Sequence, residues 1–194
     1  IRERSGINLE IIDGRREAEI ISSNRARLPI KEKAPFRDID VGGGSTEITL
    51  FAEDQTIASR SFNIGTLRIL NKQVTDDMTR ELRTWVKSIA KNSPGLAAIG
   101  SGGNINKLFR MARVKDGKPL MYKSLRTLYN HLSKFSFDDR VKTLGLRPDR
   151  ADVIVPAAEL FINIMKWSKI TRIYVPQIGL SDGVIHVLYE RYKS

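Results

Sequence analysis

The run Asp38-Ile39-Asp40-Val41-Gly42-Gly43-Gly44-Ser45-Thr46-Glu47 holds the residue types that phosphate chemistry needs. It reads as a strand ending in a carboxylate, then three glycines and a hydroxyl, then a second carboxylate. Glycines let the backbone turn tightly and approach a ligand, because no Cβ stands in the way. Peptide N–H groups in such a loop can converge on a phosphate. Asp40 and Glu47 supply hard oxygen ligands of the kind Mg²⁺ takes. The expected chemistry is that of a Mg²⁺-bound phosphate, with Gly42, Gly43, Gly44 and Ser45 around its oxygens. The competing reading is a glycine-rich hairpin turn with incidental acids.

A second glycine cluster favours the phosphate reading. Leu96-Ala97-Ala98-Ile99 is a short apolar run suited to a buried strand. Gly100-Ser101-Gly102-Gly103-Asn104 follows, and then Ile105, Leu108, Phe109 and Ala112 at helical spacing. A strand, a glycine turn and a helix start present N–H groups and a positive dipole end to an anion. Backbone N–H groups of Gly102, Gly103 and Asn104 are therefore further candidate phosphate ligands. Neither a G-x-G-x-x-G fingerprint nor a P-loop is present. Two glycine loops, each leaving an apolar strand, suit two walls of one phosphate cleft.

The elements that must hold these loops follow an α/β pattern. Phe36 to Val41, Glu47 to Ala52 and Thr56 to Phe62 read as three strands, with Glu53-Asp54 as a tight turn. Thr75 caps a helix in which Met78, Leu82, Trp85, Val86 and Ile89 form one apolar face. Asn92, Pro94 and Gly95 end that helix. Residues 114–121 read as a loop, and Tyr122 to Phe135 and Asp138 to Leu144 as short helices. Arg150 to Trp167 is an amphipathic helix in which Pro156 predicts a bend if the helix starts early. Ile170 to Val175 is the last strand, and Ser181 caps a final helix. Residues 15–28 are a further helical stretch ending at Pro29.

Asp40-Val41-Gly42-Gly43-Gly44-Ser45-Thr46-Glu47 resembles the D-[IV]-G-G-G-S-x-E signature of the exopolyphosphatase and guanosine pentaphosphate phosphatase family. Other segments resemble that family in the same order. They are Ser5-Gly6-Ile7 through Glu17-Ala18, Phe62 through Arg68, Gly100-Ser101-Gly102-Gly103, Leu146 through Val153, and Leu180 through Ile185. Asp13, Arg16 and Ala157 depart from the family pattern. The resemblance implies an RNase-H-like domain of the actin, Hsp70 and sugar-kinase superfamily, with a mixed sheet and flanking helices. It implies a phosphohydrolase that uses Mg²⁺, or another divalent cation, held by Asp40 and Glu47, both catalytic. The substrate would be inorganic polyphosphate or guanosine pentaphosphate. Family members have two such domains, the first carrying another phosphate loop and a glutamate thought to be the general base. Residues 1–194 are expected to form the second domain alone and to hold half of an active site. A phosphotransferase of the same superfamily and a non-catalytic polyphosphate or alarmone sensor remain open. A cytoplasmic location and a homodimer are also expectations.

Composition is ordinary for a globule, at 41% hydrophobic and 28% charged residues. The absence of cysteine excludes disulfides and thiolate metal sites. No apolar stretch approaches a membrane span, and no membrane partner is expected. The net charge of +11 favours polyanions. Arg110, Arg113, Lys115 and Lys118, and Lys31 and Lys33, are candidates to line a phosphate chain. They lack the interleaved aromatics of a single-strand platform, so nucleic acid is not the expected partner. His131 and His186 have no second ligand at metal spacing. Trp85 and Trp167 fall on apolar helix faces and read as packing residues. Asp152 and Glu159 read as structural, with Arg147 or Arg150 as partners, and Asp182-Gly183 as a helix cap.

Overall fold

A computed structural model describes residues 35–52, 55–92 and 96–176, together with residues 5, 6, 184, 185, 188, 189, 192 and 193. The chain forms two compact units, Leu28–Gln177 and the chain ends Ile1–Arg27 with Ile178–Ser194. The helix expected over 15–28, the Glu53-Asp54 turn, the Ser181 and Asp182-Gly183 cap, His186, Lys31 and Lys33 lie outside the described residues.

The larger unit begins with three strands, β1 (Phe36–Val41), β2 (Thr46–Ala52) and β3 (Gln55–Phe62). Helices α1 (Thr66–Leu70) and α2 (Asp76–Asn92) follow, then β4 (Ala97–Ser101) and α3 (Gly103–Met111). Next come β5 (Leu120–Met121), α4 (Tyr122–Leu132), α5 (Phe137–Lys142), α6 (Pro148–Ala151), α7 (Ile154–Trp167) and β6 (Arg172–Tyr174). The described strands make one sheet in the order β3-β2-β1-β4-β6-β5. The pairs β1–β2 and β2–β3 are antiparallel, and β1–β4 and β4–β6 are parallel. An antiparallel meander followed by parallel strands reached through helices is the RNase-H-like arrangement expected from the sequence.

Strand alternation sorts the two faces of this sheet. Arg37, Ile39 and Val41 pair with Leu50, Ile48 and Thr46 on one face. Ile39, Val41 and Ile48 join Leu82, Val86, Leu108, Phe161 and Ile164 in the core. The other face carries Asp38 and Asp40 of β1, Glu47 of β2 and Ser101 of β4. Burial pulls the pKa of Arg37 below its ordinary value. Its Nη2 donates to the Ile89 carbonyl at the end of α2 (3.3 Å).

Local chemistry sets the helix boundaries. The Thr75 hydroxyl accepts from the Met78 N–H, as an N-cap does (3.3 Å). The single helix expected over 150–167 is instead two, α6 and α7, with Asp152 and Val153 between them. Pro156 has no N–H to give the Asp152 carbonyl, and its ring crowds that carbonyl, so the helix breaks there. Leu120 and Met121, expected in a loop, form β5. The fully buried Leu120 pairs with Ile173, and this pairing overrides the polar stretch before it. The last strand is shorter than expected, and α1 was not foreseen. Asp149, not Asp152, pairs with Arg147 and Arg150.

Thr46 is fully buried and its hydroxyl donates to the Ile64 carbonyl (2.6 Å). Thr46→Val keeps the shape but strands that acceptor. It should lower the unfolding free energy by about 1–2 kcal/mol, read from urea melts. An unchanged midpoint would give the bond no weight.

Candidate functional site

The first glycine loop is the link between β1 and β2. The Gly42 N–H donates to the Ser45 carbonyl (2.9 Å), closing a hairpin with Gly43 and Gly44 at its tip. The carbonyls of Gly42, Gly43 and Gly44 are engaged at the start of α1. Thr66 N–H donates to Gly42 O (3.0 Å), and Leu67 N–H to Gly43 O (2.9 Å). Arg68 Nε donates to Gly44 O (2.9 Å). Gly65 permits the approach, since a Cβ there would overlap the Gly43 carbonyl. All described peptides are trans. In a trans peptide the N–H points away from the carbonyl of the preceding residue. The N–H groups of Gly43, Gly44 and Ser45 therefore point away from α1. They have no backbone partner among the described residues. Tertiary packing thus leaves three donors of a hairpin tip facing away from α1.

The two candidate carboxylates sit side by side. Asp40 is the direct cross-strand partner of Glu47 in the antiparallel pair, which puts both side chains on one face. Glu47 is exposed and Asp40 half-buried. Ser45 Oγ and Ser61 Oγ both donate to Glu47 Oε1, at 3.4 and 3.5 Å. Ser101, across the parallel pair from Asp40, donates its hydroxyl to Asp38 Oδ2 (3.0 Å).

The second glycine loop meets the first through Asp40. Gly102 is the N-cap of α3 with φ +89° and ψ 169°, a region that is nearly glycine-only. A Cβ at Gly102 would overlap Asp40 Oδ1, so the carboxylate lies directly against this loop. No side chain caps α3. The first-turn N–H groups, from Gly103 onward, have no intrahelical acceptor, and the positive end of the dipole adds to them.

Asn104 is expected only for its N–H group, yet its buried side chain ties the two loops together. Its Nδ2 donates to the Val41 carbonyl, one residue before the first loop (2.7 Å). Its Oδ1 accepts from Arg150 Nη1 (3.3 Å). The Arg150 guanidinium also stands 3.0 Å from where a Gly103 Cβ would be. A fixed cation therefore stands beside the helix N-terminus, from a residue 46 positions later in the chain. The sequence reading missed it. Its one signal is that Arg150 lies inside a segment carrying the family resemblance.

The structure thus brings together Asp40, Glu47, Gly42, Gly43, Gly44, Ser45, Gly102, Gly103 and Asn104, and adds Arg150. It does not bring Arg110, Arg113, Lys115 and Lys118 to the loops. Arg110 lies in the last turn of α3 and the other three follow its C-terminal end, while the glycines lie at its start. His131 packs edge-on against Phe135, and Trp85 against Phe62. No described helix is long and apolar enough to cross a membrane.

Comparison with known proteins agrees with this fold. The chain is 24% identical over 210 residues to exopolyphosphatase 1 of Mycobacterium tuberculosis. The match covers 95% of this chain and 60% of that protein. It is 26% identical over 205 residues to exopolyphosphatase 2 of the same organism, covering 92% and 63%. The chain therefore spans about three-fifths of the length of these relatives. Among solved structures, an exopolyphosphatase from Cytophaga hutchinsonii superposes with a TM-score of 0.77 at 22% identity, over 97% of this chain and 68% of that one. An Aquifex aeolicus Ppx/GppA protein superposes with a TM-score of 0.73 at 20% identity, over 97% and 67%. These likenesses carry the fold, an actin-like α/β one with a mixed six-stranded sheet. The model of the Ppx/GppA phosphatase family matches residues 1–191, and the chain belongs to that family.

Proposed function

We propose that this chain forms one wall of a phosphohydrolase site that releases terminal phosphate from inorganic polyphosphate. The observation that carries the reading is the placement of Asp40, held between two loops that each offer backbone N–H groups. The names of the relatives favour polyphosphate. Guanosine pentaphosphate rests on the sequence resemblance alone.

The residues fit Mg²⁺. Among the described residues no group of three or more His, Cys, Asp or Glu could hold a metal by itself. Two adjacent carboxylates suit an ion that keeps several waters and shares substrate phosphate oxygens. Bound there, Mg²⁺ would offset charge on the transferring phosphoryl group. The chain's own groups do the rest. Gly43, Gly44 and Ser45 N–H groups hold one set of phosphoryl oxygens, and the start of α3 with Arg150 holds another. These donors are fixed before the substrate arrives, so little reorganisation is needed at the transition state. The base that activates the attacking water is expected from the family's first domain. The 194-residue chain alone should therefore release phosphate only at background rate. Rapid Mg²⁺-dependent release from it would place the base here instead.

The decisive assay is phosphate release from polyphosphate by the full-length protein with Mg²⁺, run first without and then with a nucleotide or sugar acceptor. Turnover supports hydrolysis. Transfer to a nucleotide or sugar in place of release would make the protein a phosphotransferase, and binding without either would make it a sensor. On the proposed reading Arg150→Ala should lower kcat/KM by about ten- to a hundredfold, the range for a hydrogen bond to a charged group. Arg150→Lys should recover part of that, since it keeps the charge but not the fork. Steady-state kinetics that leave Arg150→Ala at the wild-type value would remove it from the site.

A further inference from the structure

A groove of about 760 Å³ lies between α2 and the C-terminal end of α7. Five of its lining residues are cations: Arg83, Lys87 and Lys91 from α2, and Lys166 and Lys169 around the end of α7. Among the described residues none of the five has a carboxylate partner, although carboxylates elsewhere on the unit do pair. The helix dipoles do not account for this charge. Two helix C-termini together present roughly one negative charge, against five positive ones. Ser168 lines the same groove. It is only 7% exposed, and its Oγ is buried with no hydrogen-bond partner.

The groove is remote from the glycine loops. α2 precedes the start of β4, and α7 precedes the start of β6, so the groove sits at the N-terminal ends of these parallel strands. Asp40 and the second glycine loop sit at the opposite, C-terminal ends of β1 and β4.

The spacing of the charges selects the ligand. Arg83, Lys87 and Lys91 recur every four residues, so they line one face of α2 at steps of about 6 Å. A ladder of this kind fits an extended chain of phosphates better than one compact ion. Trp167 is the one aromatic in the lining and it is packed against the core, so no platform for successive bases exists here. The surface is concave, which does not suit a membrane plane. We propose that this groove is a second anchoring site for inorganic polyphosphate, holding a stretch of a long chain whose end reaches the glycine loops. The choice of polyphosphate rests on the function proposed above, and the site adds a chain-length preference to it.

The test compares long-chain polyphosphate with tripolyphosphate, which is too short to occupy both places. Affinities of both are measured calorimetrically on the full-length protein carrying Asp40→Asn to slow turnover, with and without Lys87→Glu and Lys166→Glu. The ratio of long-chain to tripolyphosphate affinity should fall about tenfold or more, and the slope of log K against log salt should shrink by roughly one to two. Lys87→Gln with Lys166→Gln should show a smaller fall of the same sign, which separates lost contacts from a folding defect. An unchanged ratio overturns the proposal. So does a result in which the charge reversals abolish binding of a single-stranded oligonucleotide or an anionic vesicle and spare polyphosphate. Hydrolysis by the wild-type protein is scored separately. A protein that binds long chains through the groove but never cleaves them would sink the proposed function and leave the groove standing.

Discussion

Asp40→Asn in the full-length protein is expected to lower kcat by about 10² or more, a loss of roughly 2.7 kcal/mol in transition-state stabilisation. Glu47→Gln should act in the same direction. Both carboxylates lie on one face of the β1–β2 pair, and Asp40 additionally abuts Gly102. Neither anchors the apolar core, which lies on the opposite face with Ile39, Val41 and Ile48. The thermal midpoint should therefore move little while turnover collapses. Raising the Mg²⁺ concentration should recover part of the activity if the lost group is a metal ligand, and none if it acts otherwise. Wild-type turnover at saturating Mg²⁺ in either variant would end that residue's proposed role.

The second large effect is expected at Gly102. Gly102→Ala meets two obstacles at once. The backbone sits at φ +89° and ψ 169°, which costs a residue other than glycine about 1–3 kcal/mol. The new Cβ also overlaps Asp40 Oδ1, so the carboxylate must leave its place. Stability should fall by about that strain, and kcat should fall about as far as in Asp40→Asn. Gly117→Ala is the matched control. Gly117 also has a positive φ, +74°, but a Cβ there meets nothing within 4 Å. It should carry a positive-φ penalty of its own and keep its turnover. Unfolding curves and initial rates on the two variants separate strain from displacement of Asp40. Equal kcat in both would mean that the position of Asp40 does not matter to the reaction. Gly103→Val differs again, because its side chain would push on the Arg150 guanidinium and should act through substrate binding.

The expected strands, the α2 face and the α3 start were legible because their signals are local. Alternation in β1 and β2, the Thr75 cap and the glycine turn before Ile105 need no distant partner to be read. The break between α6 and α7 was half legible. Pro156 forbids the hydrogen bond, but where the helix restarts depends on how Ile154, Ala157 and Phe161 pack into the core. β5 was not legible, because two residues form a strand only when an edge is offered to them, here by β6.

The same division holds at the site. The sequence by itself determined the donor types, namely two carboxylates and two glycine loops leaving strands, together with the order that marks the family. It could not determine which way the loop amides face. That follows from α1 and Arg68 taking the carbonyls of Gly42, Gly43 and Gly44, contacts that span 24 residues. Nor could it bring Asp40 to Gly102, since only the parallel pairing of β1 with β4 does so. Arg150 and the groove charges belong to the same class. Periodicity places a side chain on a face of its own element, but the approach of two elements distant in sequence is decided by packing of the common core, and only the tertiary structure records it.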